Sequence, residues 1–200
     1  MINSAPNFVS PDRTKVGLLA FQGAFDAHRR FISSLGAPCV EVKTTRDLRA
    51  CTHLILPGGE STTFLKLMEY HDLTGALRDH AASGKSILAT CAGLILLAKT
   101  VNPPQDSLGI LDITVERNAY GRQVDSFETD LNIPVLGNKP FHGVFIRAPI
   151  ISDISPDVAS LATFEHHPVL IRQGNIFACT FHPELTSDSR IHQLFLDSVS

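Results

Sequence analysis

The chain has 200 residues, 44% of them hydrophobic, with a formal charge of −3 at pH 7 and a pI near 6.3. That length builds one well-buried domain and hardly two. The mild acidity gives no electrostatic reason to expect nucleic acid or an anionic membrane as partner, and no stretch approaches the roughly 18–20 apolar residues of a membrane span.

Met1 to Thr14 is polar, contains Pro6 and Pro11, and lacks the apolar segment of a secretory signal. The pattern predicts a loosely ordered arm over 1–14 and a single domain over 15–200. The cysteines are Cys39, Cys51, Cys91 and Cys179, with no C-x-x-C pair. Without a signal segment they predict neither a disulfide framework nor a zinc site, and a reduced, cytoplasmic setting is expected. Cys39, Cys51 and Cys179 sit in or beside apolar strand-like segments and read as inert core thiols.

Lys15 to Phe21 reads as an apolar strand ended by Gln22-Gly23. Ala24 to Leu35 follows as a helix, with Phe25, Phe31, Ile32 and Leu35 at helical spacings and Gly36 as its stop. Pro38 to Lys43 alternates like a strand, a helical turn spans Thr45 to Ala50, and Thr52 to Leu56 is again a strand, broken by Pro57-Gly58-Gly59-Glu60-Ser61. Thr62 to His71 and Leu73 to Ser83 read as helices, with Gly84 closing the second. Ser86 to Thr90 is the next strand and Ala92 to Lys99 the next helix. Short, continuous apolar strands alternating with helices predict βαβ units and a three-layer α/β/α sandwich around a mostly parallel sheet.

The second half changes character. Asn102 to Gln105 reads as a Pro-rich loop, and strands are expected at Ile113 to Arg117, Gly143 to Arg147, Val158 to Phe164, Pro168 to Arg172 and Ile176 to Phe181. The Gly174-Asn175 dipeptide is a hairpin signal, so antiparallel strands extend the parallel core. Ser187 to Val199 reads as a closing amphipathic helix with Ser187 at its N-cap and Ile191, Leu194, Phe195 and Val199 on one face.

Three segments carry chemistry. Cys91 lies between two apolar runs and is flanked two residues away by Ala89 and Gly93. Small residues at these offsets are what a strand–turn–helix nucleophile elbow requires, and a helix N-terminus favours thiolate over thiol. The same residue is also compatible with a packing cysteine at a strand end. His182-Pro183-Glu184 follows a strand that Pro183 interrupts. The pair is either a base with an orienting carboxylate or a surface histidine beside a solvated glutamate. The Gly58-Gly59 turn, followed by Glu60 and Ser61, permits close backbone approach to a ligand or an oxyanion hole, and is equally an ordinary βα turn. It matches neither a P-loop nor a dinucleotide fingerprint. His166-His167 lacks acidic or cysteine companions at ligand spacing and reads as a polar turn.

Taken together the segments resemble the glutaminase subunits of pyridoxal 5′-phosphate synthases, class I (triad-type) glutamine amidotransferases. The resemblance is carried by Leu19 to Ala24 (LAFQGA), Pro57 to Thr63 (PGGESTT), Thr90 to Ala98 (TCAGLILLA), Val115 to Gln123 (VERNAYGRQ), Ser126 to Glu128 (SFE), Phe145 to Pro149 (FIRAP) and Phe181 to Thr186 (FHPELT). They occur in the family's order and span roughly residues 15 to 197.

The resemblance implies a flavodoxin-like fold with Cys91 as nucleophile, His182 as base and Glu184 as its partner. It places Gly59, Glu60, Ser61, Arg117, Ile146 and Arg147 around L-glutamine, with oxyanion contacts from Gly58, Gly59 and Ala92. No metal or other cofactor is implied. It also implies a glutamyl thioester, release of glutamate, and passage of ammonia to a (β/α)₈-barrel synthase partner within a large hetero-oligomeric complex. There, Gln22-Gly23 and the Gly58-Gly59 loop would switch geometry on docking. Three departures stand out: Ala89 where the family usually has glycine, Phe21 where leucine is more usual, and a longer arm before Lys15. Two other readings of the same residues are a non-catalytic regulatory subunit and a sister Cys-His-Glu enzyme acting on another amide.

Overall fold

The computed structural model describes residues 14–117 and 126–198. The expected arm before Thr14, Asn118 to Gln123 of the Val-Glu-Arg-Asn segment, and Val199 lie outside the described residues.

The first half follows the expected alternation: β1 (Val16–Leu19), α1 (Phe25–Ser34), β2 (Cys39–Val42), α2 (Thr45–Arg49), β3 (His53–Leu56), α3 (Ser61–Tyr70), α4 (Leu73–Ala82), β4 (Ser86–Thr90) and α5 (Ala92–Leu97). It continues with β5 (Ala98–Asn102), β6 (Leu111–Glu116), β7 (Ser126–Leu131), β8 (Phe141–Ile146), β9 (Ile150–Ile154), β10 (Ala159–Phe164), β11 (His167–Gln173), β12 (Ile176–Cys179) and α6 (Arg190–Leu196). Even the five-residue α2 has a local cause. The Thr44 hydroxyl accepts from the Asp47 amide while the Asp47 carboxylate accepts from the Thr44 amide, a reciprocal capping box.

The central sheet has seven strands in the order β10-β11-β12-β4-β3-β1-β2. The run β12-β4-β3-β1-β2 is parallel, and β11 and β10 extend it antiparallel. Gln173 pairs with Ile176, so Gly174-Asn175 forms the two-residue hairpin turn that its dipeptide signals.

Side-chain alternation divides the core between the two faces. Leu54, Leu56, Ile87 and Ala89 point to one face, packed by Leu48, Phe64, Leu77 and the residues of α5. Ile55 and Leu88 point to the other, packed by Ile32 of α1, Ile191 and Phe195 of α6, and Phe141 and Phe145 of β8. Each large side chain taken out of water in this way contributes about 1.5–3 kcal/mol. The sandwich carries more β structure than expected: a small β5-β6-β9 sheet packs on the first face and the β7-β8 hairpin on the second.

Several boundaries differ from the sequence reading. The helix expected over Ala92 to Lys99 ends at Leu97, because the Leu96 and Leu97 carbonyls accept from the Leu108 and Ile110 amides and release the chain into β5. Strands β7 and β9 were not expected; their apolar positions are interspersed with Glu128, Asp130 and Asp153, and only pairing with β8 and β6 orders them. The last helix starts at Arg190 and not near Ser187. Thr186 Oγ1 accepts from the Asp188 amide, Asp188 Oδ1 accepts from the Arg190 amide, and these turns consume the segment where a Ser187 cap was expected. Strand β12 ends at Cys179, two residues before Phe181. Cys51 and Cys179 are buried free thiols as expected, whereas Cys39 is only half-buried. His166, at φ 69°, lies in the turn between β10 and β11, and His167 begins β11.

Candidate active site

Cys91 stands where β4 turns into α5. Its backbone adopts φ 47° and ψ −103°, a combination that costs a non-glycine residue on the order of 1–3 kcal/mol. The surroundings hold it there: its amide donates to the Cys179 carbonyl at 2.9 Å, and its carbonyl accepts from the Ile95 amide at 3.3 Å. Gly93 lets the turn approach β3, since a Cβ on it would lie 2.1 Å from the Leu56 carbonyl oxygen. Ala89, at the other small-residue position, is fully buried, and its methyl joins the apolar cluster of the first face.

The segment after β12 brings the histidine alongside. The Thr180 amide donates to Val169 and the His182 amide donates to the Val144 carbonyl at 2.8 Å. A 3-10 turn, Pro183–Leu185, then folds Glu184 back so that Oε1 sits 2.7 Å from His182 Nδ1. Cys91, His182 and Glu184 are all buried, at 7%, 8% and 4% exposure. Burial alone would lower the His182 pKa, but hydrogen bonds to Cys91 and Glu184 outweigh it and push the imidazole up to about 10. Burial likewise opposes ionisation of Glu184, yet attraction to His28 when that ring is protonated, and the hydrogen bond and charge of His182, hold its carboxyl below the usual range.

The loop after β3 closes over this pair. A Cβ on Gly58 would stand 2.4 Å from His182 Cε1, so only glycine permits the imidazole to lie against the backbone. The Gly58 carbonyl accepts from the Ala24 amide at 3.4 Å, and Gln22 Nε2 donates to the Glu60 carbonyl at 2.8 Å. The loops after β1 and β3 are thereby tied together where strand order reverses, the usual place for a ligand in an open parallel sheet.

A cleft of about 540 Å³ opens at this point, a size typical of small-molecule sites. Cys91, Ala92 and His182 form its inner end, and Gly58, Gly59, Glu60 and Ser61 one wall. Arg117, Ile146 and Arg147 complete it. Arg147 Nη1 and Glu60 Oε1 face each other at 3.8 Å, both well exposed. Ser61 Oγ donates to Gln105 Oε1 at 2.9 Å, and Arg117 Nη1 donates to the same oxygen. Every site residue singled out in the sequence lines this cleft except Glu184, which lies behind His182. The arrangement joins a cysteine with an imidazole whose pKa is raised by its partners, next to opposite charges that complement an amino acid's ammonium and carboxylate groups.

Three residues at the site had not been singled out. Gln105, in the expected Pro-rich loop, bridges Ser61 and Arg117. His28 and His192 are fully buried behind Glu184. The available signal was a histidine on the apolar face of each helix: His28 four residues before Ile32, and His192 three before Phe195.

A flavodoxin-like sheet with a cysteine on a strained strand–helix turn and a His-Glu pair beside it is the architecture of class I glutamine amidotransferases. A solved glutamine amidotransferase shares it at a TM-score of 0.86 and 45% identity, covering 92% of this chain and 99% of that one. A PurLQS structure from Thermotoga maritima, at 17% identity and a TM-score of 0.69 over 92% of this chain and 98% of its own, shares the fold. More specifically, the model of the SNO glutamine amidotransferase family matches residues 18–200, and the chain belongs to that family. Relatives include the pyridoxal 5′-phosphate synthase subunits PdxT of Kosmotoga olearia, 51% identical over 92% of this chain and 97% of that protein, and of Thermotoga maritima, 50% identical over 92% and 99%.

Proposed function

We propose that the chain is the glutaminase subunit of a pyridoxal 5′-phosphate synthase, hydrolysing L-glutamine to L-glutamate and ammonia. Family membership and the near full-length likeness to PdxT subunits support the activity. The observation that carries the chemistry is the Cys91–His182–Glu184 line at the inner end of the cleft.

In this reading Cys91 attacks the side-chain carboxamide as thiolate, with His182 as its imidazolium partner and Glu184 fixing the ring's tautomer and charge. Backbone at Gly58, Gly59 and Ala92 stabilises the tetrahedral oxyanion. His182 then protonates the departing ammonia, leaving a γ-glutamyl thioester on Cys91. Water, deprotonated by the same imidazole, attacks the thioester and releases glutamate. Arg117 and Arg147 meet the substrate carboxylate and Glu60 its ammonium, with Gly59, Ser61 and Ile146 shaping the pocket.

The ammonia passes to a synthase partner, a (β/α)₈ barrel in a large hetero-oligomer in the cytoplasm. The tie between the loops after β1 and β3 supports a coupled change at Gln22-Gly23 and Gly58-Gly59 on docking. Among the described residues no helix is long and apolar enough to cross a membrane. The test is glutamate release from L-glutamine by the chain alone and with the barrel synthase, together with covalent trapping by a glutamine-analogue electrophile. Turnover stimulated by the synthase, with an adduct on Cys91, is expected. An assembled complex that forms no adduct overturns the mechanism.

A further inference from the structure

Behind the triad carboxylate lies a second line of polar groups that the chemistry above does not use. His28, on the inward face of α1, and His192, on the inward face of α6, are both fully buried. His28 Nδ1 is 2.9 Å from His192 Nε2, and His28 Nε2 faces Glu184 Oε2 at 3.4 Å. That carboxylate oxygen is buried and has no hydrogen bond of ordinary geometry, while Oε1 is taken by His182. Thr90 Oγ1, from the end of β4, also lies 3.4 Å from His28 Nε2. The His192 ring stacks on Phe31 at 4.6 Å between centroids and 10° between planes, which fixes its orientation.

We propose that His28 and His192 are positioning residues of the triad: His192 Nε2–H donates to His28 Nδ1, and His28 Nε2–H supports Glu184 Oε2 from behind. The inference rests on reading Cys91, His182 and Glu184 as the triad. Donor chemistry selects the direction. An ionised carboxylate only accepts, so a His28 that supports Glu184 carries its proton on Nε2, with the Thr90 hydroxyl as a second acceptor; Nδ1 is then an acceptor to which His192 donates. His192 thus sets the tautomer of His28 as Glu184 sets that of His182.

Neutrality matters as much as the proton. A cation behind Glu184 would compete with the His182 imidazolium for its charge. Burial lowers the pKa of His28, outweighing the attraction of Glu184, and the nearby His182 charge lowers it further. His192 is lowered to about 3 by burial, with His28 adding to the effect. The pair therefore supplies an N–H dipole without a competing charge, from two rings that are themselves fully buried.

The test is made on the full chain with its synthase partner, L-glutamine being the substrate. His28→Leu removes the donor, and His28→Gln returns an amide N–H near the former Nε2. His28→Leu is expected to lower kcat about tenfold to a hundredfold, the range of a lost hydrogen bond to a charged group, with KM little changed. The groups facing Glu184 are His182, His28 of α1, His192 of α6 and Cys179 of β12, with Cys91 beyond His182. Loss of the His28 donor makes Glu184 easier to protonate, so the acidic limb of kcat/KM moves to higher pH; His28→Gln restores both kcat and the limb.

If His28→Leu does not fold, His192→Phe keeps the stack on Phe31 but removes the donor, and the same direction of change in kcat is expected. Nitrogen-15 NMR of the unmodified chain supplies a readout independent of turnover: His28 and His192 neutral and protonated on Nε2. A wild-type pH profile in His28→Leu, or a proton on Nδ1 of His28, overturns the proposal. Turnover persisting in Cys91→Ala would instead remove the triad reading and leave the tautomer result standing.

Discussion

Gly93 and Leu56 touch through backbone. The helix that follows Cys91 approaches β3 so closely that a Cβ on Gly93 would lie 2.1 Å from the Leu56 carbonyl oxygen. Neither partner is a flexible side chain, so Gly93→Ala must push α5 away from the sheet. A loss above about 3 kcal/mol is expected, in the range reserved for severe backbone or core disruption, read as a lower urea midpoint. Gly75→Ala is the control. That glycine lies within α4 with nothing within 4 Å of an added Cβ, and the change should stabilise by about 0.5–1 kcal/mol.

Cys91 holds a positive φ that glycine adopts without cost. Cys91→Gly is therefore expected to raise the unfolding free energy by on the order of 1 kcal/mol while abolishing glutaminase turnover. Thermal unfolding and glutamate release on one preparation check both halves. A destabilised Cys91→Gly would show that the thiol's packing outweighs the strain of its backbone.

Gly58→Ala places a methyl where the His182 ring now lies, 2.4 Å from Cε1. The ring must turn away from Glu184 or the loop must lift. Turnover should fall by about a hundredfold, as misplacing a reacting group by an ångström does, with about 1–3 kcal/mol lost in stability because the methyl meets a buried ring. Steady-state kinetics beside a denaturant titration separate the two effects.

Arg117 lines the cleft and is held by Gln105 through its guanidinium. If it meets the substrate carboxylate, Arg117→Ala should raise KM for glutamine about tenfold to a hundredfold and leave the rate of Cys91 alkylation by a neutral electrophile unchanged. A parallel loss of both would place Arg117 in the reactivity of the thiol and not in binding.

Stability should fall steeply on mild acidification. His28, His53, His80 and His192 are buried with pKa values lowered chiefly by burial, His80 to about 4 and His192 to about 3. The unfolded chain binds protons at these sites below about pH 6.5 while the folded one does not, so stability decreases as pH falls from there. At pH 5, His80 and His192 should each cost about 2 kcal/mol. His182 runs the other way. Its raised pKa stabilises fully below about pH 6.5 and is lost as pH rises through about 10. Urea midpoints at pH 5, 7 and 9 should therefore peak near neutrality. An unchanged midpoint at pH 5 would mean that those histidines are solvated.

Much of this molecule was legible in its residues because the relevant constraints are local. Alternation of short apolar strands with capped helices determines a parallel sheet, and a cysteine between Ala89 and Gly93 determines an elbow, since small side chains are a steric condition of the turn itself. His182-Pro183-Glu184 could be read as a pair because a proline after a strand forces the chain to turn. Only the tertiary structure decided what depended on distant partners. Leu108 and Ile110 end α5 early, β8 and β6 create β7 and β9 from segments that are ambiguous alone, and β4 and β12 lie side by side so that residues 91 and 182 meet. The same holds behind Glu184: His28 and His192 are 164 positions apart in the chain. A histidine on an apolar helix face has no assigned partner until two helices pack against the same buried carboxylate.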